Sequence, residues 1–459
     1  MAESNFSLQK TLTMLLDEKK YHSLRDILST MNPADIAAIF DDLDQARLPL
    51  LFRLLPKELA AETFVEMEPE AQELLIRGFS DSELKEVIDE LYVDDAVDIV
   101  EEMPANVVQR ILSQAEPEMR KQINEILRYP EDSAGSIMTT EYVSLRPNMT
   151  VGEAILRIRR TGIDKETIYT CYVTRGHKLI GMVTVKTLLL CEDDDTLIED
   201  IMQEHVITVN TTDDQEVVAQ MFSKYDFLAL PVVDTENRLV GIVTFDDAWD
   251  VMEDEATEDM EKMAAMLPSE HPYMRSTPVE IWKNRIPWLL LLMISATLTG
   301  LVISHFETAL GVLPCLTAFI PMLMDTGGNA GSQACVSIIR GISLNEIEFR
   351  DLFRVVWKEI RVAVLCGVCL AAACFAKVML VDHLLMHNES VTSTVALVVC
   401  ISMALTVFMA KLVGSTLPLL AKKLGFDPAV MASPIITTIV DFLSLLVYFA
   451  FATALLRIG

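Results

Sequence analysis

Asp441 lies in Pro434-Ile-Ile-Thr-Thr-Ile-Val-Asp-Phe-Leu-Ser-Leu-Leu-Val-Tyr448, a run otherwise fit for lipid, with no Lys or Arg beside it. A carboxylate at membrane depth is costly. It marks an ion pathway unless it is protonated or hydrogen-bonded inside the protein. A second departure is Asp325-Thr-Gly-Gly-Asn-Ala-Gly-Ser-Gln333, which interrupts the apolar stretch from Leu313 to Ile339. Its glycines let two helices, or a helix and a hydrated ion, approach closely. Asn329 and Gln333, at i and i+4, share one helix face. They serve either interhelical hydrogen bonds or a watery path. Carboxylate, amide and carbonyl oxygens form a hard donor set, suited to Mg²⁺, which keeps several waters and takes one or two carboxylates. A soft metal would ask for thiolates. Six of the eight cysteines fall in this apolar half, and Cys366-Gly-Val-Cys369 has no further ligand near it in sequence, so these thiols are read as packing groups.

The remaining acids lie elsewhere. Of 67 acidic and 37 basic residues, 57 and 27 fall in the first 285 positions, which therefore carry the whole formal charge of −30. That balance excludes nucleic-acid binding, which needs clustered Lys and Arg. It suits small cations or plain solubility. No Ser/His/Asp set, HExxH or phosphate-cradling G-x-x-x-x-G-K-[ST] occurs, so neither an enzyme nor an ATP-driven pump is expected. The start, MAESNFSLQK, has no apolar signal core, and the first half is expected in the cytosol.

These groups need scaffolds. Residues 1–129 read as short helices with turns near Asn32-Pro33, Pro56, Glu68-Pro69 and Met103-Pro104, a small solenoid. Residues 130–250 hold an internal repeat. Ile137-Met138 returns as Ile201-Met202, and Leu179-Ile-Gly-Met-Val-Thr184 as Leu239-Val-Gly-Ile-Val-Thr244. Each copy reads as strand, helix, two strands and helix, and the pattern resembles a tandem CBS pair. An acidic helix follows from Asp246 to about Pro268, and residues 251–284 are read as the connecting segment. Residues 285–459 hold five apolar spans, near 286–305, 313–340, 360–383, 392–418 and 433–456. Arg350, Arg354, Lys358, Arg361, Lys422 and Lys423 crowd two alternate loops, which puts the N-terminus in the cytosol and the C-terminus outside. The expected fold is a multidomain membrane protein: helical N-domain, α/β CBS pair, connecting helix and an all-α domain of five spans.

Taken together, Pro321-Met-Leu-Met-Asp-Thr-Gly-Gly-Asn-Ala-Gly-Ser-Gln333, Gly425-Phe-Asp-Pro-Ala429 and Asp441 with Tyr448-Phe449 resemble the bacterial MgtE magnesium channels and transporters, over essentially the whole chain. The resemblance implies a homodimer in the cytoplasmic membrane, with Mg²⁺ as substrate and ligand. It implies a pore at the symmetry axis with Asp441 as the main carboxylate, beside Gly327, Gly328 and Asn329. The family often has Gly where this chain has Ser444. The resemblance further implies regulatory Mg²⁺ on Asp226, Asp247, Asp250 and Glu216 of the second module, on Glu255, Glu258 and Asp259 of the connecting ("plug") helix, and on Asp94, Asp98 and Glu62 of the N-domain. Some relatives bind ATP between modules through a Thr/Ser-x-x-Asp motif. The second module has Thr244-Phe-Asp-Asp247, but the first reads Thr184-Val-Lys-Thr187, which counts against ATP here. Two alternatives stay open: a proton-coupled divalent-cation transporter, and a membrane-tethered CBS nucleotide sensor.

Overall fold

The computed structural model describes residues 11–456 except 42, 44, 45, 270–272, 275 and 432, so the opening MAESNFSLQK lies outside the described residues. The chain divides into two compact units, residues 1–252 and 253–459.

The first unit begins with helices of mostly eight to ten residues. Pro33, Pro69 and Pro117 open three of them, where a missing N–H costs nothing and the fixed φ suits the helix. Ser80 and Glu83 close a capping box, and Arg53 reaches Glu83 at 2.7 Å. Each helix turns one apolar face inward, and the rings of Phe52, Phe64 and Phe79 meet within 6.4 Å at the centre. One helix matters for the site: α1, Val93–Glu102, which buries Val93, Ala96, Val97, Ile99 and Val100 and carries Asp94, Asp95 and Asp98.

The repeat folds as two equivalent three-stranded sheets. In the first, β1 (Tyr142–Leu145) pairs parallel with β2 (Thr167–Arg175), which pairs antiparallel with β3 (Lys178–Thr184). In the second, β4 (Val209–Asn210), β5 (Ala229–Val233) and β6 (Leu239–Thr244) repeat that order. The modules exchange edges. Ala134 and Gly135 donate to the carbonyls of Asp213 and Thr211, and Thr139 bridges Ile242, so the chain leaving the helices joins the second sheet first. In return Gln203 bridges Met182 of the first sheet.

Helix α2, Phe245–Met263, runs from the second module into the second unit. It stops five residues short of the expected Pro268. Ala265 takes a left-handed φ of +53°, and Pro268 bars a helical Leu267, whose N–H instead bonds the Asn284 carbonyl. Five long helices follow: α3 (Pro278–His305), α4 (Ile320–Ser343), α5 (Leu352–Lys377), α6 (Ser393–Lys423) and α7 (Ser433–Leu456). Among the described residues, four segments, Pro278–His305, Phe349–Leu385, Ser393–Lys423 and Ala429–Leu456, are long and apolar enough to cross a membrane. The 24-residue α4 is the remaining one, its apolar content diluted by the Asp325–Gln333 stretch. It begins at Ile320 rather than 313, because Pro314 opens a separate 3-10 turn and Pro321 fits only a first helical turn. The third span starts at Leu352 rather than 360, so Arg354, Lys358, Glu359 and Arg361 ride on the helix.

Candidate metal centres

Helix α4 has two faces. Gly327, Gly328 and Gly331 are buried against α6 and α7. A Cβ on Gly327 would come within 2.6 Å of Thr406 and 2.9 Å of Val440, and one on Gly331 within 2.7 Å of Ile436. From the other side, a Cβ on Gly414 would meet the Gly331 carbonyl oxygen at 2.3 Å. The glycines therefore bring backbones together, as small residues do between membrane helices. Asp325, Asn329 and Gln333 lie exposed on the opposite face, one turn apart. Gly327 and Gly328 thus pack against the neighbouring helices, while Asn329 stands among polar side chains.

Asp441 is half-buried on α7, one turn beyond Thr437, which packs on Gly328 of α4. Ser444 is buried one turn on, its hydroxyl donating to the Val440 carbonyl at 2.6 Å and its Oγ 3.0 Å from where a Gly327 Cβ would stand. So Ser444 is satisfied on its own helix. Tyr448 donates to the Leu316 carbonyl at 3.0 Å, and Phe449 stacks on Phe306 at 4.9 Å. The first contact holds α7 against the 3-10 turn that leads into α4, and the second holds it against the end of α3.

A buried charge pair also lies among these helices. Lys411, in mid-α6, points at Glu359 of α5 with Nζ and Oε2 3.9 Å apart, the side chains only 7% and 14% exposed. Charges there are rare and normally face a partner. A third span read from 360 leaves Glu359 outside it, which hides the pair in sequence.

At the end of α2, Lys262 spans Glu258 at 2.6 Å and Asp427 at 2.8 Å. Burial works against the Lys262 charge, yet these carboxylates outweigh it and keep its pKa above the ordinary range. Asp259 accepts from Ser343 at 3.4 Å and is pushed up by burial and then by Asp427. Glu255 is half-buried on the same helix.

The densest acidic site lies in the first unit. Ligand oxygens of Asp94, Glu141 and Glu166 all fall within 4.8 Å of one another. The α1 N-terminus places two of them: Val93 N–H donates to Glu141 at 3.2 Å, and Asp94 sits in the first turn. Glu166 is aligned by its own N–H on the Glu141 carbonyl at 3.0 Å. Asp94 Oδ1 and Glu166 Oε2 are buried without a hydrogen bond. Burial, then like charge, raises Asp94, Asp95 and Asp247 to about 7 and Glu166 to about 9. Asp98 keeps an exposed edge, but its carboxyl is hemmed in and is also pushed up, by the surrounding protein and then by Asp247 and Asp94. Thr244 holds Asp247 through its hydroxyl and its N–H. Buried carboxylates lacking donors are what a hard divalent cation requires.

Other expected residues do not join this cluster. Glu62 is exposed on the helix Lys57–Val65, and Asp250 is exposed on α2. Glu216 and Asp226 occupy opposite ends of the helix Gln215–Tyr225, about 15 Å apart at 1.5 Å per residue. Asp95, Glu141 and Glu166 went unnoticed in sequence. Only tertiary contact between the helical region and the first module reveals them, although Asp95 beside Asp94 was a local hint.

Comparison with known proteins agrees with this organisation. Residues 320–451 match the family model described as divalent cation transporter, 31–132 the MgtE intracellular N domain, and 134–192 and 198–248 the CBS domain. The magnesium transporter MgtE of Thermus thermophilus is 37% identical, covering 98% of this chain and 99% of its own. The chain belongs to the MgtE family of magnesium transporters. The MgtE of Bacillus subtilis is 32% identical, covering 97% of both chains. A crystal structure of the cytosolic domain of the Mg²⁺ channel MgtE in complex with ATP matches 53% of this chain and 99% of its own, at 38% identity and a TM-score of 0.51. The ATP belongs to that structure. In this MgtE-family chain Thr187 only trades a hydroxyl contact with Thr184 at 2.9 Å, where Asp247 gives the second module a carboxylate.

Proposed function

We propose that the chain is a Mg²⁺-selective path for uptake across the cytoplasmic membrane, working as a homodimer and closed by cytosolic Mg²⁺. The N-terminus is cytosolic and the C-terminus outside. Residues 1–129, 130–250, 251–284 and 285–459 serve as sensing, sensing, connecting and conducting parts. Support for conduction comes from one observation: Thr437 of α7 packs on Gly328 of α4, which puts half-buried Asp441 and the exposed Asp325 and Asn329 each within about one turn of that contact. Carboxylate and amide oxygens there would take a largely hydrated Mg²⁺ by outer-sphere hydrogen bonds, while the backbone of Gly327 and Gly328 keeps α4 close to α6 and α7. An inside-negative potential of 100 mV drives a divalent ion inward by about 4.6 kcal/mol, so no pumping step is needed.

Closure would use the carboxylates. Without metal, Asp94, Asp95, Asp98, Glu141, Glu166 and Asp247 repel one another or hold protons. Mg²⁺ displaces those protons and turns repulsion into a bridge between helical region and CBS modules. Glu255, Glu258 and Asp259 on α2, with Asp226, Asp250, Glu216 and Glu62, are further candidate ligands. Several weak sites, each worth about 1–3 kcal/mol of coupling, together reach the roughly 5.5 kcal/mol that moves a two-state equilibrium from 1:99 to 99:1. ATP binding is disfavoured on this reading, because Thr187 offers a ribose no carboxylate in the first module, whereas Asp247 offers one in the second.

The test is Mg²⁺ uptake into liposomes by wild type, Asp441→Asn and Asp325→Asn. Uptake lost in Asp441→Asn and reduced in Asp325→Asn is expected. Wild-type flux in Asp441→Asn would remove the pore assignment, and proton counter-movement would favour the coupled transporter.

A further inference from the structure

The first CBS module carries a cavity with a mainly basic lining in an acidic half of the chain. It has a volume of about 550 Å³ and is lined by Arg146, Arg157 and Arg175, with His177 at the rim. The three guanidiniums come from three elements: Arg146 just after β1, Arg157 in the helix Val151–Thr161, and Arg175 at the end of β2. The fold, not a basic run, brings them together, and it does so in a half of the chain where acids outnumber basic residues two to one.

Three observations point to an anion. Among the described residues, Arg146 and Arg157 make no ion pair, and Arg175 has only Glu199, 3.7 Å away with both side chains well exposed. Such a pair is too long for a good hydrogen bond and contributes little. Three guanidiniums therefore face one carboxylate across the same space. Behind them Ser144 and Thr174, both half-buried, hydrogen-bond hydroxyl to hydroxyl at 3.0 Å, and whichever of the two accepts can turn its own proton toward a ligand oxygen. The rim is also fixed. Gly176 and His177 take φ of +60° and +69°, and the His177 carbonyl accepts from Leu239 N–H of the second module at 3.0 Å. A hairpin tip held this way fixes the backbone that carries Arg175 before any ligand arrives, so only its side chain remains to be ordered on binding.

Guanidinium forks with hydroxyl donors match tetrahedral phosphate oxygens. The volume exceeds what one phosphate needs and falls in the range of small-metabolite sites. We propose that this cavity is a binding site for a small phosphorylated metabolite, one phosphomonoester group per chain. It lies at the hairpin end of the first sheet, whereas Thr184, Thr187, Thr244 and Asp247 lie at the opposite ends of β3 and β6. It is therefore separate from the carboxylate sites and from the Thr-x-x-Asp position.

The experiment is calorimetric titration of the full chain in detergent with ribose 5-phosphate and, separately, inorganic phosphate. It is run with EDTA and about 0.15 M chloride, where free charges are screened beyond about 8 Å. Saturable binding at one site per chain is expected, with ribose 5-phosphate the tighter probe. Arg146→Gln and Arg157→Gln should each weaken it about tenfold or more, the loss of one charge-assisted contact. Arg160→Gln, on the same helix but outside the cavity, should bind like wild type. Absence of saturable binding by either probe overturns the proposal. So does an equal loss in Arg160→Gln, which would mean diffuse attraction, or unchanged binding in both cavity variants. Unchanged thermal unfolding in the unliganded variants separates lost binding from lost folding.

Discussion

Gly414→Ala is the sharpest test of how α4 is held. The added methyl would sit 2.3 Å from the Gly331 carbonyl oxygen, 3.0 Å from that carbonyl carbon and 3.3 Å from Ala334 Cβ. Protein Cβ atoms essentially never come closer than 3.0 Å to another heavy atom, so α4 and α6 must part by at least about 0.7 Å. No rotamer relieves a clash with backbone. Overpacking of this kind costs about 1–3 kcal/mol, and the upper end applies here because two rigid helices must move. The better helix propensity of Ala returns at most about 1 kcal/mol, leaving a net loss of about 2 kcal/mol. The shift also carries Asn329 and Asp325 away from α7, so Mg²⁺ uptake should fall more than stability alone explains. Gly300→Ala is the control: it lies on α3 with nothing within 4 Å of the new methyl and should be neutral or slightly stabilising. The assays are thermal unfolding in detergent and uptake into liposomes at equal protein. Gly414→Ala behaving like wild type in both, or Gly300→Ala doing equal harm, would refute the packing argument.

Three further outcomes follow from the same structure. Breaking the buried pair by Lys411→Met or Glu359→Gln should cost about 3 kcal/mol each, since one charge is stranded, while the double variant should recover most of it; unfolding midpoints of the four proteins decide this. The carboxyls of Asp94, Asp95 and Asp247 are raised from 3.8 to about 7, so the folded state binds more protons than the unfolded chain. Stability of the metal-free protein is therefore fullest below pH 4 as far as these groups go and is lost as pH rises through 7. Mg²⁺ added at pH 7 should release protons and flatten that dependence, as calorimetry in buffers of differing ionisation heat would show; metal binding without proton release would contradict it. Thr187→Asp should tighten ATP binding about tenfold, one charged hydrogen bond being worth about 1.5 kcal/mol or more, and equal titration curves for variant and wild type would dismiss the motif.

What sequence could reveal followed from locality. The module repeat, the apolar helices and the lone Asp441 are patterns within one stretch of chain. The three acids Asp94, Glu141 and Glu166 are not, because their meeting depends on how α1 docks on the strand region. Lys411 was hidden for a different reason: one Lys barely changes the hydropathy of a 31-residue helix. The glycines of α4 were legible as close-approach residues, but only packing shows that Gly414 of α6 receives them. Proline placement decided the boundaries of α2 and α4, though not the earlier start of α5. Pro314, Pro321 and Pro268 end or start helices that hydropathy alone would have continued.

The exchange of edges between the CBS modules bears on how a signal travels. Because Ala134, Gly135 and Thr139 are bonded to Asp213, Thr211 and Ile242, the helical region is tied to the second module without passing through the first. The two residues after Ile242 lead into Phe245, where α2 begins. A displacement at residue 134 therefore reaches the root of α2 over a few hydrogen bonds and one short strand. The first module hangs beside this line as a parallel branch, able to load or damp it without being a link in it. Cutting the chain between the modules would free no independent half, since each would lose part of its own sheet edge.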